Sequence, residues 1–150
     1  MSEKIEEILE NRDIKITFLN GLKSGLNTTW LLSKIIIPVY FIVTLFKYTG
    51  ILNWISIKFA PIMGIFGLPG EAALALVSGN LINLFAALSV IANLTLTTKQ
   101  VTILAIMLSF SHSLFMETAV AKKTGISVII VLMIRFSLAI LSGIILNMVI

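Results

Sequence analysis

Residues 71–93 read EAALALVSGNLINLFAALSVIAN, and their conformation decides how the rest of the chain is threaded. As one helix at 1.5 Å per residue they would reach about 34 Å, enough to cross a bilayer. As a re-entrant hairpin with its tip near Ser78-Gly79-Asn80 to Asn83, each arm would hold about ten residues and stop near the midplane. Polar backbone at that depth is tolerated only where protein or a wet cavity surrounds it. The central Ser-Gly-Asn-x-x-Asn suits such a tip, and both readings stay open on the sequence.

That either reading lies in a membrane follows from composition. The chain has 150 residues, 58% hydrophobic and only 12% charged, with a mean hydropathy of +1.07. A soluble domain carries about a quarter charged residues. The expected class is all-α, a polytopic membrane bundle of three to four spans with an interfacial helix, in the cell membrane. With no cysteine there is neither a disulfide framework nor a thiolate metal site. The net charge of +4 comes from scattered cations rather than a basic block, which argues against a nucleic acid polymer as partner.

Outward from 71–93 the pattern is regular. Residues 1–27 carry Ile5, Ile8, Leu9, Ile16, Leu19, Leu22 and Leu26 at helical spacing, with Ser2 as a cap. They read as an amphipathic surface helix that Gly21 and Gly25 loosen. Their five acids and lack of a cleavage site argue against a secretory signal, so the first span should be retained. Residues 28–150 form the membrane module. Thr28 to Tyr48 is the clearest span, with Trp30 and Tyr48 as interface anchors, Lys34 placed to snorkel and Pro38 expected to bend it.

Residues 51–66 are short and interrupted by Lys58 and Pro61, and read as an interfacial helix. The stretch from Gly64 to Gly70 breaks the backbone, and Glu71 opens the next helix at its positive dipole end. Thr95–Gln100 is a polar turn, 101–120 a further span interrupted by Ser109-Phe110-Ser111-His112-Ser113 and by Glu117, and 126–149 the last.

Ionisable groups in the hydrocarbon are costly, about +2.5 to +3.5 kcal/mol even on insertion scales, so Glu71, Glu117, Arg135 and His112 are conspicuous. Ser109, Ser113 and Glu117 recur at i, i+4, i+8 and are expected to stack on one helix face, with His112 beside them. With Asn80 and Asn83 they form the candidate solute-binding set: Glu71, Asn80, Asn83, Ser109, His112, Ser113 and Glu117. Arg135 reads as the ion-pair partner of Glu117. Catalysis is not expected, because adjacent Ser-His-Ser residues diverge by about 100° on a helix and no orienting acid is placed for a triad. His112 and Glu117 lie five apart, unlike a helical zinc pair at i, i+4, and no cofactor or metal is implied.

Gly67-Leu68-Pro69-Gly70-Glu71-Ala72-Ala73 followed by Ser78-Gly79-Asn80, then Leu96-Thr97-Thr98-Lys99-Gln100, then His112-Ser113 with Glu117-Thr118 and Gly125, occur here in order. In that order they resemble the gate, or nucleoside-recognition, domain family over about residues 30–148. Its relatives include sporulation-maturation membrane proteins and the hairpin repeats of concentrative nucleoside transporters. The Gly-Gln-Thr-Glu segment that contacts nucleoside in those transporters is missing, so the substrate does not carry over.

The resemblance implies a half-size permease module for a small polar, nucleoside-like solute. A second copy, antiparallel in the two-module plan of the transporters, or a second gate-domain protein would complete it. The competing reading is a non-transporting assembly subunit of the sporulation-maturation type. The small residues Ala72, Ala75, Gly79, Ala86 and Ala87 would offer the surface for a partner helix.

Charge bears on topology. If 71–93 crosses, five cations face four, nearly no bias, which suits dual topology. If it is a hairpin, six (Lys4, Arg12, Lys15, Lys23, Lys122, Lys123) face three (Lys47, Lys58, Lys99), which favours a cytoplasmic N terminus.

Overall fold

A computed structural model describes residues 14–150 of the chain. The first half of the expected surface helix, Ser2 included, lies outside the described residues. The chain divides into two units, one up to Lys34 and one from Ile35 to Ile150. The described elements are helices throughout: α1 Ile14–Tyr48, α2 Ile51–Gly64, α3 Ala72–Leu81, α4 Leu84–Ile91, α5 Thr98–Ser111, α6 Leu114–Lys123 and α7 Val128–Val149. Three stretches are long and apolar enough to cross a membrane: Ile16–Tyr48, Thr98–Lys123 and Val128–Val149. The chain is an all-helical membrane bundle.

Within the first unit α1 is a single-layer helix whose apolar side chains, Phe18, Leu22, Leu26 and Trp30 among them, are exposed. Gly21 and Gly25, expected to loosen it, sit inside an unbroken helix that also continues through Pro38. Thr29 and Ser33 donate to the carbonyls four residues back, at 2.9 and 2.8 Å, so neither hydroxyl is stranded in an apolar setting. The Lys34 ammonium lies 5.7 Å from the Trp30 ring centre, a cation–π contact consistent with an outward snorkel.

In the second unit, residues 71–93 form the hairpin. Backbone φ, ψ leave the helical region at Ile82 (−100°, −81°) and Asn83 (−173°, 174°), and the Asn83 side chain accepts the Ala86 N–H, capping α4. Arms of ten and eight residues reach about 15 and 12 Å, half of a hydrocarbon layer of about 30 Å. The tip falls at Ile82-Asn83, just past Ser78-Gly79-Asn80, which form the last turns of α3.

Small residues allow α3 to sit at the centre of the unit. Ala72, Ala73, Ala75, Ser78 and Gly79 are all buried, and α3 packs against α2, α4, α5 and α6. This corrects the expectation that Ala72, Ala75, Gly79, Ala86 and Ala87 offer a surface to a partner: all five are buried within the chain itself. At Gly70 a Cβ would collide with the Ser56 carbonyl, so the approach of α2 to the start of α3 requires glycine there.

The hairpin is fastened to α1 by polar bonds. Ser89 Oγ donates to the Ile36 carbonyl at 2.8 Å, Asn93 Nδ2 to the Tyr40 carbonyl at 3.1 Å, and Thr44 Oγ1 to Asn93 Oδ1 at 3.1 Å. Thr97-Thr98-Lys99-Gln100, expected as a turn, is instead a helix start. Thr97 and Gln100 form a reciprocal capping box. Lys99 Nζ donates to the Asn147 carbonyl at 3.0 Å, placing a cation at the C-terminal end of α7, and Asn147 Nδ2 reaches the Ile65 carbonyl at 3.1 Å. These bonds tie the segment before α3 to the ends of α5 and α7.

A hairpin returns the chain to the side it left. Cysteines placed singly at Lys58 and Thr95, both exposed, are therefore expected to react with an impermeant thiol reagent from the same side of intact membranes. A cysteine at Thr124 is expected to react from the other. Labelling of Lys58 and Thr95 from opposite sides would restore the spanning-helix reading.

Candidate functional site

The second interruption lies inside the 101–120 span, at the end of the polar Ser109-Phe110-Ser111-His112-Ser113 run that interrupts it in the sequence. Residues 98–123 are two helices, α5 and α6, parted at His112 (φ −63°, ψ 156°) and Ser113 (φ 55°, ψ 43°). Ser113 is the one non-glycine residue of positive φ among the described residues, a conformation that costs an L-residue about 1–2 kcal/mol. The stack of Ser109, Ser113 and Glu117 on one helix face is thereby corrected, since the face does not continue through the break. Ser109 is exposed and donates to the Ile106 carbonyl at 2.7 Å, a local bond that removes it from the site.

The two interruptions meet. The Ser113 N–H donates to the Gly79 carbonyl at 2.9 Å, joining the α5–α6 break to the last turns of α3. The bond satisfies an amide that the helix break would leave unpaired, and a carbonyl near a helix end, as membrane depth requires. Asn80 follows Gly79, and its Oδ1 is buried with no hydrogen-bond partner. Such an orphan is the exception in a folded protein and costs about 1–3 kcal/mol. Beside it, a cavity of about 230 Å³ is lined by Asn80 and Ser111 and otherwise by apolar side chains of α2, α3, α5 and α7 and by Phe66 from the segment after α2. Ser111, 2% exposed, donates to the Met107 carbonyl at 2.9 Å and keeps its oxygen lone pairs for another donor.

On the other flank of the break stands a charge pair. Arg135 Nη1 lies 3.2 Å from Glu117 Oε2, with the side chains 20% and 40% exposed. Arg135 Nη2 also donates to the His112 carbonyl at 3.3 Å, so one guanidinium from α7 holds both the end of α5 and the first turn of α6. Its Nε is buried without a partner. His112 Nδ1 lies 2.8 Å from the Leu108 carbonyl. A carbonyl only accepts, so Nδ1 bears the hydrogen in this contact.

Of the seven residues singled out from the sequence, Asn80, His112, Ser113 and Glu117 come together at the crossing of the two interrupted helices. The remaining three do not. Ser109 faces outward, and Asn83 caps α4. Glu71 lies at the far end of α3, about 13 Å from Asn80 at 1.5 Å per residue, where its Oε2 accepts the Ser56 hydroxyl at 2.6 Å. Two members were not in that set. Ser111 lies off the Ser109–Ser113 helix face by spacing, and the dense Ser109-Phe110-Ser111-His112-Ser113 run is the signal that could have found it. Arg135 is expected only as the partner of Glu117, and its second bond, to the His112 carbonyl, depends on a backbone break that a polar run alone does not specify.

Comparison with known proteins finds membrane proteins as relatives. An uncharacterized membrane protein of Bacillus subtilis (strain 168), YvoD, is 46% identical over 136 residues, which are 91% of this chain and 44% of the relative. The inner membrane protein YjiG of Escherichia coli (strain K12) is 33% identical over 99 residues, 62% of this chain and 63% of the relative. The chain thus spans under half of one relative's length and under two thirds of the other's. No solved structure matches it. The Gate family model, described as nucleoside recognition, matches residues 29–149, nearly the whole of the described module, and the chain belongs to that family.

Proposed function

We propose that the chain is a membrane transport module, resident in the cell membrane, that binds a small polar solute where its two interrupted helices cross. The observation that carries this reading is the buried, unpartnered Asn80 Oδ1 beside a cavity that also holds Ser111. A solute N–H or O–H would satisfy the acceptor, while the apolar walls would take the body of the solute. Ligand sites have this form, mostly apolar with a few placed polar groups. Non-helical backbone at membrane depth also occurs where it lines such a site, and discontinuous helices carry the sites of many transporters.

The module acts with a second one. Ile62, Phe66, Phe136 and Ile140 line the cavity, yet Ile62, Phe136 and Ile140 are themselves exposed, so a second copy or a second gate-domain protein would close the site toward lipid. The Bacillus relative supports this plan, because more than half of its length lies beyond the match and leaves room for another module.

Replacing Asn80 with Leu, similar in volume, removes the orphan acceptor and should leave stability unchanged or slightly raised. Purified protein is screened by thermal shift against a panel of nucleosides, nucleobases, amino acids and sugars. At least one compound is expected to stabilise the native protein, and Asn80→Leu is expected to weaken that compound's binding roughly tenfold, the equivalent of about 1.4 kcal/mol. A compound that stabilises both proteins equally, or a panel without effect on the native one, counts against the site.

A further inference from the structure

A second polar cavity lies apart from this crossing, at the start of α3. It holds about 210 Å³ and has Lys47, Asn53, Ser56 and Glu71 among its walls. A cation and a carboxylate thus face one space without pairing: the Arg135–Glu117 contact is the single ion pair among the described residues. The Glu71 carboxylate is engaged only through Oε2, by the Ser56 hydroxyl, which leaves Oε1 open. Lys47 lies in the last turn of α1 and is exposed. Two opposite charges held apart across a cavity are complementary to a molecule that is itself zwitterionic.

The level of the cavity identifies the source of that molecule. Tyr48, next to Lys47, is 85% exposed and Trp54, next to Asn53, is 60% exposed, and such aromatic rings lie at the headgroup level of a bilayer. The volume equals about seven waters at ~30 Å³ each, enough for a small headgroup and too little for an acyl chain, which the exposed apolar face of α2 would meet outside. We infer that this cavity binds the headgroup of a phosphoethanolamine lipid, the phosphate on Lys47 and Asn53 and the primary ammonium on Glu71 and Ser56. The ammonium donates hydrogens that a quaternary choline cannot supply, and a glycerol headgroup carries no charge for Glu71.

Delipidated protein mixed with equimolar phosphatidylethanolamine and phosphatidylglycerol, read by native mass spectrometry, tests the assignment. The native protein is expected to retain phosphatidylethanolamine at least threefold more, as one partly exposed charge contact provides. Glu71→Gln keeps an acceptor for Ser56 and is expected to abolish the preference. Lys47→Gln, at an exposed position away from the core, is expected to lower retention of both lipids. An unchanged preference in Glu71→Gln, or unchanged retention in Lys47→Gln, overturns the site. Displacement of the lipid by equimolar glycerophosphoethanolamine, which has the headgroup without chains, overturns the lipid as its source and assigns the cavity to a free zwitterion.

Discussion

Arg135→Met is expected to destabilise the protein in mild detergent by about 2–3 kcal/mol, the scale of one unpaired charge at membrane depth. The change strands Glu117, whose side chain is 40% exposed and has the Arg135 guanidinium as its ion-pair partner. It also takes the donor from the His112 carbonyl, so the α5–α6 break loses its tie to α7. A mutant cycle separates these effects. Glu117→Gln alone leaves the Arg135–His112 bond in place and should cost less than Arg135→Met. The double variant Glu117→Gln/Arg135→Met carries no stranded charge and should regain about half of the loss, since replacing both members of such a pair is often near neutral. Full recovery would mean that the His112 contact contributes nothing. Additive losses, measured by chemical denaturation, would show that the two side chains do not interact.

How much of this was legible in the sequence depended on whether the signal was local. The membrane environment, the first and last spans and the interfacial length of α2 follow from apolar runs and their lengths alone. The Arg135–Glu117 pair follows from the same logic, because two unlike charges in one apolar setting have few other partners. The hairpin remained one of two readings, since Ser78-Gly79-Asn80 suits a packing surface as well as a tip. Its turn is set by Asn83, whose amide caps α4, and a lone Asn ahead of an apolar run is a weak signal.

The α5–α6 break was legible only as a polar run, Ser109 to Ser113, interrupting an apolar span, not as a backbone break. Neither proline nor glycine marks it. Ser113 adopts positive φ, and its N–H is satisfied by Gly79 more than thirty residues away. A break sustained by a tertiary bond leaves no mark in local propensity, and the expected Ser109-Ser113-Glu117 stack failed for that reason. The small-residue surface on α3 failed for a related one. Spacing shows that a helix can be approached closely, but the approaching elements are α4 and α5 of the same chain.

That close approach sets the second large effect. A Cβ at Gly79 would overlap Leu108 Cδ2 and lie 3.0 Å from the Ala87 Cβ, while Leu108 is only 1% exposed and has little space to yield. Gly79→Val should therefore cost about 3 kcal/mol by overpacking, and it should also weaken solute binding, because the Gly79 carbonyl that receives the Ser113 N–H moves with α3. Leu108→Ala alone should cost about 2–5 kcal/mol, through lost burial and the cavity it leaves. Together the two changes partly compensate, the added valine methyls occupying space vacated by leucine, and the double variant should be more stable than the sum of the single losses by at least about 1 kcal/mol. Unfolding measured on the four proteins of the cycle decides the matter. Strict additivity would show that α3 and α5 are not in contact at Gly79. Recovered stability without recovered solute binding would separate the packing of the crossing from the Ser113–Gly79 bond that shapes the site.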